Sequence, residues 1–84
     1  MDNDNTKQLE DSFGGKAVGL SFNPSGNAQV MDLKEPIAVF INECDDARAN
    51  AINPEVKRMY AVAITEAQTA QMWAVKAATW ETKV

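Results

Sequence analysis

The last third of the chain constrains the fold most, because it is a long helix-forming run with no Gly and no Pro after Pro54. Within it, small or apolar residues recur at alternating steps of four and three, the 3.5-residue period of a helix packed along its length against other helices. These positions are Val56, Tyr60, Ala63, Ala67, Ala70, Ala74 and Ala77. A second set of larger side chains lies beside this stripe and consists of Met59, Val62, Met72, Trp73, Val75 and Trp80. One partner helix cannot cover both sets, so the pattern predicts a helical assembly with several contacts per helix.

The composition leaves oligomerisation as the source of additional stability. A chain of 84 residues forms one small domain, and such domains are marginally stable without a disulfide, a metal or a partner. Cys44 is the only cysteine and histidine is absent, which excludes an intrachain disulfide and removes the usual zinc ligands. We therefore expect a homo-oligomer that holds neither a metal nor a cofactor.

The charge distribution bears on possible partners. The net charge of −4 argues against binding of long nucleic acid, which basic proteins usually perform. Four of the acidic residues lie at positions 2, 4, 10 and 11, so the remainder is closer to neutral and a small anionic ligand is compatible with it. No stretch approaches the roughly 20 apolar residues of a membrane span, and the N-terminus lacks the pattern of a signal peptide. We expect a soluble, cytoplasmic protein without membrane contact.

The chain divides into an acidic arm and a helical-hairpin domain. Residues 1–12 are polar without periodicity and predict a disordered arm, and residues 13–22 mix glycines with apolar residues, which predicts an extended segment. Helix 1 is predicted over about 27–48 and helix 2 over about 54–82, within a domain of residues 13–84. Helix 1 carries apolar residues at Val30, Leu33, Ile37, Phe40, Cys44 and Ala47. Pro36 predicts a kink in helix 1, and the short connection between the helices predicts an antiparallel hairpin.

The residues offer little basis for catalysis. Gly14-Gly15-Lys16 resembles part of a phosphate-binding loop, but the full spacing of that motif is absent. The acidic residues Glu43, Asp45 and Asp46 diverge around a helix and are typical of a solvated face. Since the chain has no histidine, it cannot form a Ser/His or Cys/His nucleophile pair. We expect no enzymatic activity.

The start of helix 1 has features of an anion site. It contains Asn23-Pro24, followed by Ser25, Gly26 and Asn27, and N–H groups at a helix N-terminus attract anions. Phe22 could stack on a base there, while Lys16 or Lys34 could neutralise a phosphate. A well-capped helix in which Phe22 packs as a hydrophobic staple explains the same residues, and the residues alone favour this second interpretation.

Residues 61–77 resemble the C-terminal helix of small phage anti-defence proteins, the anti-CBASS and anti-Thoeris sponges that share a helical-hairpin domain. The most distinctive part is Ala70-Gln71-Met72-Trp73-Ala74-Val75-Lys76-Ala77. Asn23-Pro24-Ser25 and Asp32-Leu33-Lys34 are similar to the first helix of that family, so the resemblance covers most of residues 20–80.

The resemblance implies a compact homo-oligomer, with a hexamer as the expected stoichiometry, that binds cyclic oligonucleotide signals and withholds them from host immune effectors without cleaving them. Lys34 matches a first-helix lysine that faces ligand phosphate, and Thr65 matches a Thr early in the last helix. Members often carry Arg just before that Thr, where this chain has Ile64. Cyclic dinucleotides are therefore the implied ligands and trinucleotides stay open. A phage-encoded sponge would act in the host cytoplasm.

The alternative function is a structural or adaptor helical oligomer with no small-molecule ligand. In both cases a single hairpin leaves apolar side chains uncovered, and we expect Trp73, Trp80, Val39 and Ile41 to form such a patch. A symmetric homo-oligomer with the last helix at its centre would bury it. Convergence of Lys16, Lys34 and Phe22 on one pocket would favour the ligand-binding function.

Overall fold

The computed structural model describes residues 3–24 and 26–80, and each regular element in those two ranges is a helix. The helices are α1 (Asn3–Asp11), α2 (Phe13–Ala17), α3 (Ala28–Asn50) and α4 (Pro54–Ala78). α3 and α4 pack along each other as a hairpin, and α2 packs on α3, which confirms the predicted all-α hairpin. The Cα trace extends 48 × 30 × 13 Å, so the helices lie side by side in a flat arrangement.

Asparagine residues cap both long helices. The side-chain oxygen of Asn27 accepts a hydrogen bond of 2.8 Å from the Gln29 N–H, and Asn53 accepts one of 2.8 Å from the Glu55 N–H. Each cap satisfies an N–H that has no partner within its helix. α3 extends two residues beyond the predicted end at 48, and α4 ends at Ala78. Residues 81–84, which include the predicted end of helix 2 at 82, lie outside the described ranges.

α3 continues through Pro36 without a break. Proline removes the N–H that would donate to the carbonyl four residues earlier, here that of Asp32. Both Pro36 and Asp32 are exposed, so water can reach that carbonyl and the helix tolerates the loss. A kink at this residue stays a prediction.

The N-terminal region differs from the predicted disordered arm and extended segment. Residues 3–11 form α1, which a Lys7–Asp11 ion pair of 3.3 Å supports one turn apart. Leu9 packs from α1 against the core. Residues 13–17 form α2, capped by the Ser12 hydroxyl, which accepts a 3.0 Å bond from the Gly15 N–H. Local contacts at Lys7 and Ser12 and the tertiary contact of Leu9 together support the helices of this region.

The two glycines of α2 are points of close contact. A Cβ atom added at Gly14 would overlap the carbonyl oxygen of Ala38 in α3, and one added at Gly15 would overlap the carbonyl oxygen of Leu9. The Gly14 N–H donates to Asn42 Oδ1 at 2.7 Å, and Asn42 Nδ2 donates to Ser12 Oγ at 2.9 Å. Glycine thus lets the α2 backbone lie directly on its neighbours, which corrects the extended conformation predicted for residues 13–22.

The core lies between α3, α4 and the turn that follows α2. Its buried members are Val18, Leu20, Ala38, Ile41, Cys44 and Ile64. The most buried line of α3 is rotated from the predicted stripe, because α3 is covered by α2 as well as by α4. Phe40 is therefore half exposed, whereas Ile41, which we predicted in the exposed patch, is fully buried.

The predicted seam of α4 is only partly buried within one chain. Tyr60, Ala63 and Ala67 pack against the core, while Ala70 and Ala77 are exposed. The line of strongest burial passes through Ile64 and Gln71 instead. Within residues 3–24 and 26–80, no helix has the length and apolar character that crossing a membrane requires.

Candidate ligand-binding site

An open hollow of about 490 Å³ lies between the turn after α2 and the C-terminal half of α4. Its size is within the range of small-molecule sites. The lining residues are Ala17, Val18, Gly19, Phe22, Lys34, Gln71, Met72, Val75 and Lys76. Apolar side chains make up most of the wall, with two lysines and one carboxamide among them. The hollow therefore offers apolar contact surface together with cationic and amide groups.

Lys34 projects from α3 and holds the turn that borders the hollow. Its ammonium donates hydrogen bonds of 2.9 Å to the Gly19 carbonyl and 2.7 Å to the Phe22 carbonyl. The residue is only 4% exposed, and this burial lowers the pKa of the Lys34 ammonium below the usual value for lysine. An ammonium has three N–H donors, so one donor remains beyond the two bonds to the turn.

Phe22 stands at the edge of the hollow and is 70% exposed. The Lys34 ammonium lies 5.9 Å from the ring centroid, a cation–π distance. The ring also borders a second, smaller hollow of about 230 Å³, whose lining includes Asn23, Val30 and Thr79. Lys34 therefore fixes the backbone that carries Phe22 and leaves the ring itself open for stacking.

The turn before α3 uses its N–H groups internally. The Gly26 N–H donates to the Asn23 carbonyl at 3.0 Å, and the Asn27 N–H donates to Asn23 Oδ1 at 3.3 Å. Gly26 has a φ of +66°, which glycine adopts without strain. The two predicted anion donors are thus engaged in closing the turn. Ser25, the third residue of that predicted group, lies outside the described part of the chain.

Two other predicted residues lie apart from this hollow within one chain. Lys16 is exposed on α2 and does not line the hollow. Thr65 is exposed on α4, six residues before Gln71, which corresponds to about 9 Å along the helix axis. The structure therefore brings Lys34 and Phe22 together and leaves Lys16 and Thr65 outside.

Comparison with protein families identifies the domain. The model of the Acb2/Tad1 hairpin domain matches residues 15–79, more than half of the chain. The chain belongs to the Acb2/Tad1 hairpin-domain family. This is a family of phage anti-CBASS and anti-Thoeris sponges, which bind cyclic nucleotides rather than act as enzymes. No curated protein and no solved structure matches significantly. α1 lies entirely before the part matched by the Acb2/Tad1 hairpin domain.

Gln71 and Lys76 line the hollow within the Acb2/Tad1 match, and neither was predicted as a site residue. Gln71 is 6% exposed although it is polar. Lys76 is exposed, and its ammonium lies 5.6 Å from the Trp73 ring centroid and 5.7 Å from that of Trp80. Both residues stand in the Ala70–Ala77 stretch, which carries the resemblance, and its helical period made the stretch look purely structural. Gln71 lies outside the predicted stripe, which passes through Ala70, and the line of strongest burial through Ile64 and Gln71 emerges only from the structure.

Proposed function

We propose that this protein is a phage anti-defence sponge that sequesters cyclic dinucleotide signals in the host cytoplasm. The observation that supports it best is the convergence of Lys34 and Phe22 on one hollow in a chain of the Acb2/Tad1 hairpin-domain family. A cyclic dinucleotide presents bases and phosphates, which need stacking surfaces and cationic or N–H donors. Trinucleotides stay open as further ligands, because Ile64 occupies the place of a family arginine and is buried in the core.

Phe22 and the lysines would contact different parts of the ligand. The exposed ring of Phe22 would stack on a base, which contributes about 1–3 kcal/mol in nucleic-acid complexes. The remaining N–H of Lys34 and the ammonium of Lys76 would face phosphate, and Lys16 and Thr65 would join only from another copy of the chain. Gly26 and Asn27 would contribute by holding Asn23 and the start of α3 in place, and Ser25 stays a predicted backbone donor to the ligand.

The site would be completed in a homo-oligomer, with a hexamer as the expected stoichiometry. Trp73 and Trp80 are 66% and 71% exposed, and Met72 beside them is exposed as well. Soluble monomers rarely leave a cluster of this kind in water. A symmetric interface along α4 would bury it and would also supply each ligand contact twice, which suits a ligand with two phosphates and two bases.

Binding without cleavage follows from the side chains present. The chain contains no histidine, and the residues that line the hollow include neither a carboxylate nor a thiol that could act as a base or a nucleophile. The protein would therefore act stoichiometrically, because each assembly would withhold only as many ligand molecules as it has binding sites. A structural or adaptor oligomer remains the second candidate, because Trp73 and Trp80 alone would support assembly.

Titration calorimetry with cyclic dinucleotides and trinucleotides tests the proposal. Phe22→Ala should weaken binding by about fivefold or more, since a lost stacking contact is worth about 1–3 kcal/mol. Phe40→Ala is the matched control, because Phe40 is also exposed but lies outside both hollows. Equal effects of the two substitutions, or no heat with any ligand, would favour the adaptor.

A second measurement tests the absence of cleavage. Ligand recovered after heat denaturation of the complex should be chemically unchanged, as chromatography and mass spectrometry would show. Recovery of a linear nucleotide would contradict the sponge mechanism while leaving the binding site intact.

A further inference from the structure

We infer that the exposed face of α4 pairs antiparallel with the same face of a second copy of the chain, in the register that sets Glu66 opposite Lys76. The inference rests on the proposed function and deepens it, because it assigns the surface, the direction and the register of one contact in the homo-oligomer. It follows from the spacing of the exposed residues of α4 and from the positions of their two charges.

The outer face of α4 carries a heptad pattern that the core does not use. Its members follow one another at alternating steps of four and three, and every one of them is exposed. They lie on the side of the helix opposite Ile64 and Gln71, which form the line of strongest burial. We call them the outer stripe, which consists of Val62, Glu66, Thr69, Trp73, Lys76 and Trp80.

The charges of the outer stripe decide the direction of pairing. In a parallel pair each residue of the stripe meets its own equivalent, so two Lys76 ammonium groups would face each other, and like charges at an interface repel. In an antiparallel pair, a two-fold axis at the level of Gln71 sets Glu66 opposite Lys76 of the second copy, and does so twice. A shift of one heptad in either direction would set Lys76 opposite Met59 or Trp73 instead. Of these arrangements, only the first pairs the two charges.

The same register matches the sizes of the other side chains in the outer stripe. Trp73 lies opposite Thr69 and Trp80 lies opposite Val62, so each large ring meets a smaller residue of the second copy. Facing residues of unequal size allow two helices to interdigitate. Trp73 and Trp80, now 66% and 71% exposed, would lose much of their contact with water, which favours the pairing.

The two charges have no other ion-pair partner among the described residues. Neither Glu66 nor Lys76 belongs to an ion pair there, whereas Glu55 of the same helix pairs with Arg58 at 2.6 Å. Lys76 also lines the hollow, so the second copy would place a carboxylate at the rim of the ligand site. Because an ammonium has three N–H donors, Lys76 would retain donors for a phosphate while it pairs with Glu66.

Charge reversal tests the register. Glu66→Lys and Lys76→Glu would each set like charges against each other twice, so each variant alone should self-associate about a hundredfold more weakly than the wild type. When the two variants are mixed, opposite charges face each other again, and one-to-one assemblies should form within about tenfold of the wild-type affinity. Glu43→Lys, at an exposed glutamate of α3, is the control and should leave assembly unchanged. Sedimentation velocity and native mass spectrometry measure these outcomes.

A disulfide tests the direction independently of charge. The double variant Glu66→Cys/Lys76→Cys should form a covalent dimer under mild oxidation, which nonreducing electrophoresis detects. Each single variant should stay uncrosslinked, because its two thiols would lie about 15 Å apart along the helix axis, and the wild type, with Cys44 buried, is the control. A cross-link in either single variant, none in the double variant, or no assembly in the mixture would overturn the inference alone. A monomeric wild type would overturn the assembly in the proposed function as well.

Discussion

The two ends of the hollow differ in how far a single chain completes them. On the α2 side, glycine backbones touch α3, the Ser12–Asn42 pair links the helices by hydrogen bonds, and Lys34 holds the next turn. On the α4 side, Trp73 and Trp80 project into solvent around Lys76. On the α2 side, contacts within the chain satisfy the polar groups and fill the space between the helices. The α4 side presents large apolar surfaces that water solvates poorly.

This difference separates what stabilises the protomer from what serves its partners. Substitutions on the α2 side should change the free energy of unfolding of one chain. Substitutions at the end of α4 should change assembly and leave the protomer fold almost unaffected.

The largest effect is expected from Gly14→Ala. The added methyl group would overlap the Ala38 carbonyl oxygen, and α2 would have to move away from α3, so the free energy of unfolding should fall by about 3 kcal/mol or more. Gly26→Ala is the control, since a Cβ there meets nothing within 4 Å and only the φ of +66° opposes it, which costs about 1–2 kcal/mol. Chemical denaturation measures both, and equal losses would contradict the close contact of α2.

Trp73→Glu should act on assembly. A buried aromatic residue at a protein interface commonly contributes about 2 kcal/mol or more, so a negative charge in its place should dissociate the oligomer at micromolar concentration. Phe13→Glu is the control on the α2 side, where the Phe13 ring lies 5.7 Å from the Arg48 guanidinium. Sedimentation velocity reports the outcome. A wild type that is already monomeric would refute the assembly of α4.

Lys34→Met should weaken both folding and binding. The substitution keeps much of the aliphatic stem but removes the two bonds to the Gly19 and Phe22 carbonyls, and the unfolding free energy should fall by about 2 kcal/mol. Lys34→Ala should lose more, because it also leaves a void. Lys16→Met, at an exposed lysine, should change thermal stability little. If Lys34→Met reduced ligand affinity alone, Lys34 would be a phosphate contact and not a support of the turn.

The smallest changes are expected from leucine substitutions at two alanines of α4, one packed within the protomer and one exposed. Ala67 packs against the core, so Ala67→Leu should lower protomer stability by about 1.5 kcal/mol through overpacking. Ala70 is exposed within the chain, so Ala70→Leu should leave the protomer unchanged and alter the stoichiometry seen by native mass spectrometry. An oligomer that accepts Ala70→Leu without change would place the predicted seam elsewhere.

Local signals in the sequence predicted the hairpin well. Asn53-Pro54 and Asn27 start helices through short-range hydrogen bonds, and short-range chemistry is readable from neighbouring residues. α1 and α2 were missed because their order depends on Leu9 reaching the core and on glycine contacts with α3. The exposure of Phe40 has the same origin, since α2 covers a side of α3 that the hairpin alone would leave open.

The site was predictable in part. Phe22 and Lys34 were candidates from a base-stacking ring and a cation near a helix start, and the family resemblance supported Lys34. The burial of Lys34 and its hydrogen bonds to the turn could not be predicted, because they depend on the chain after α2 folding back over α3. Gln71 was missed because the predicted stripe placed Ala70 inward, whereas the line of strongest burial in α4 runs through Ile64 and Gln71.

The buried thiol of Cys44 is an intrinsic probe of how often the hairpin opens locally. Cys44 is the only cysteine in the chain and lies in the core with Ile41 and Ile64. A thiol reagent can reach it only when the helices separate locally, so the rate of modification counts those openings without any introduced label. A molecule that bridges the turn after α2 to α4 should lower the rate of Cys44 modification. The factor by which that rate falls would report how much the bound molecule stabilises the closed hairpin.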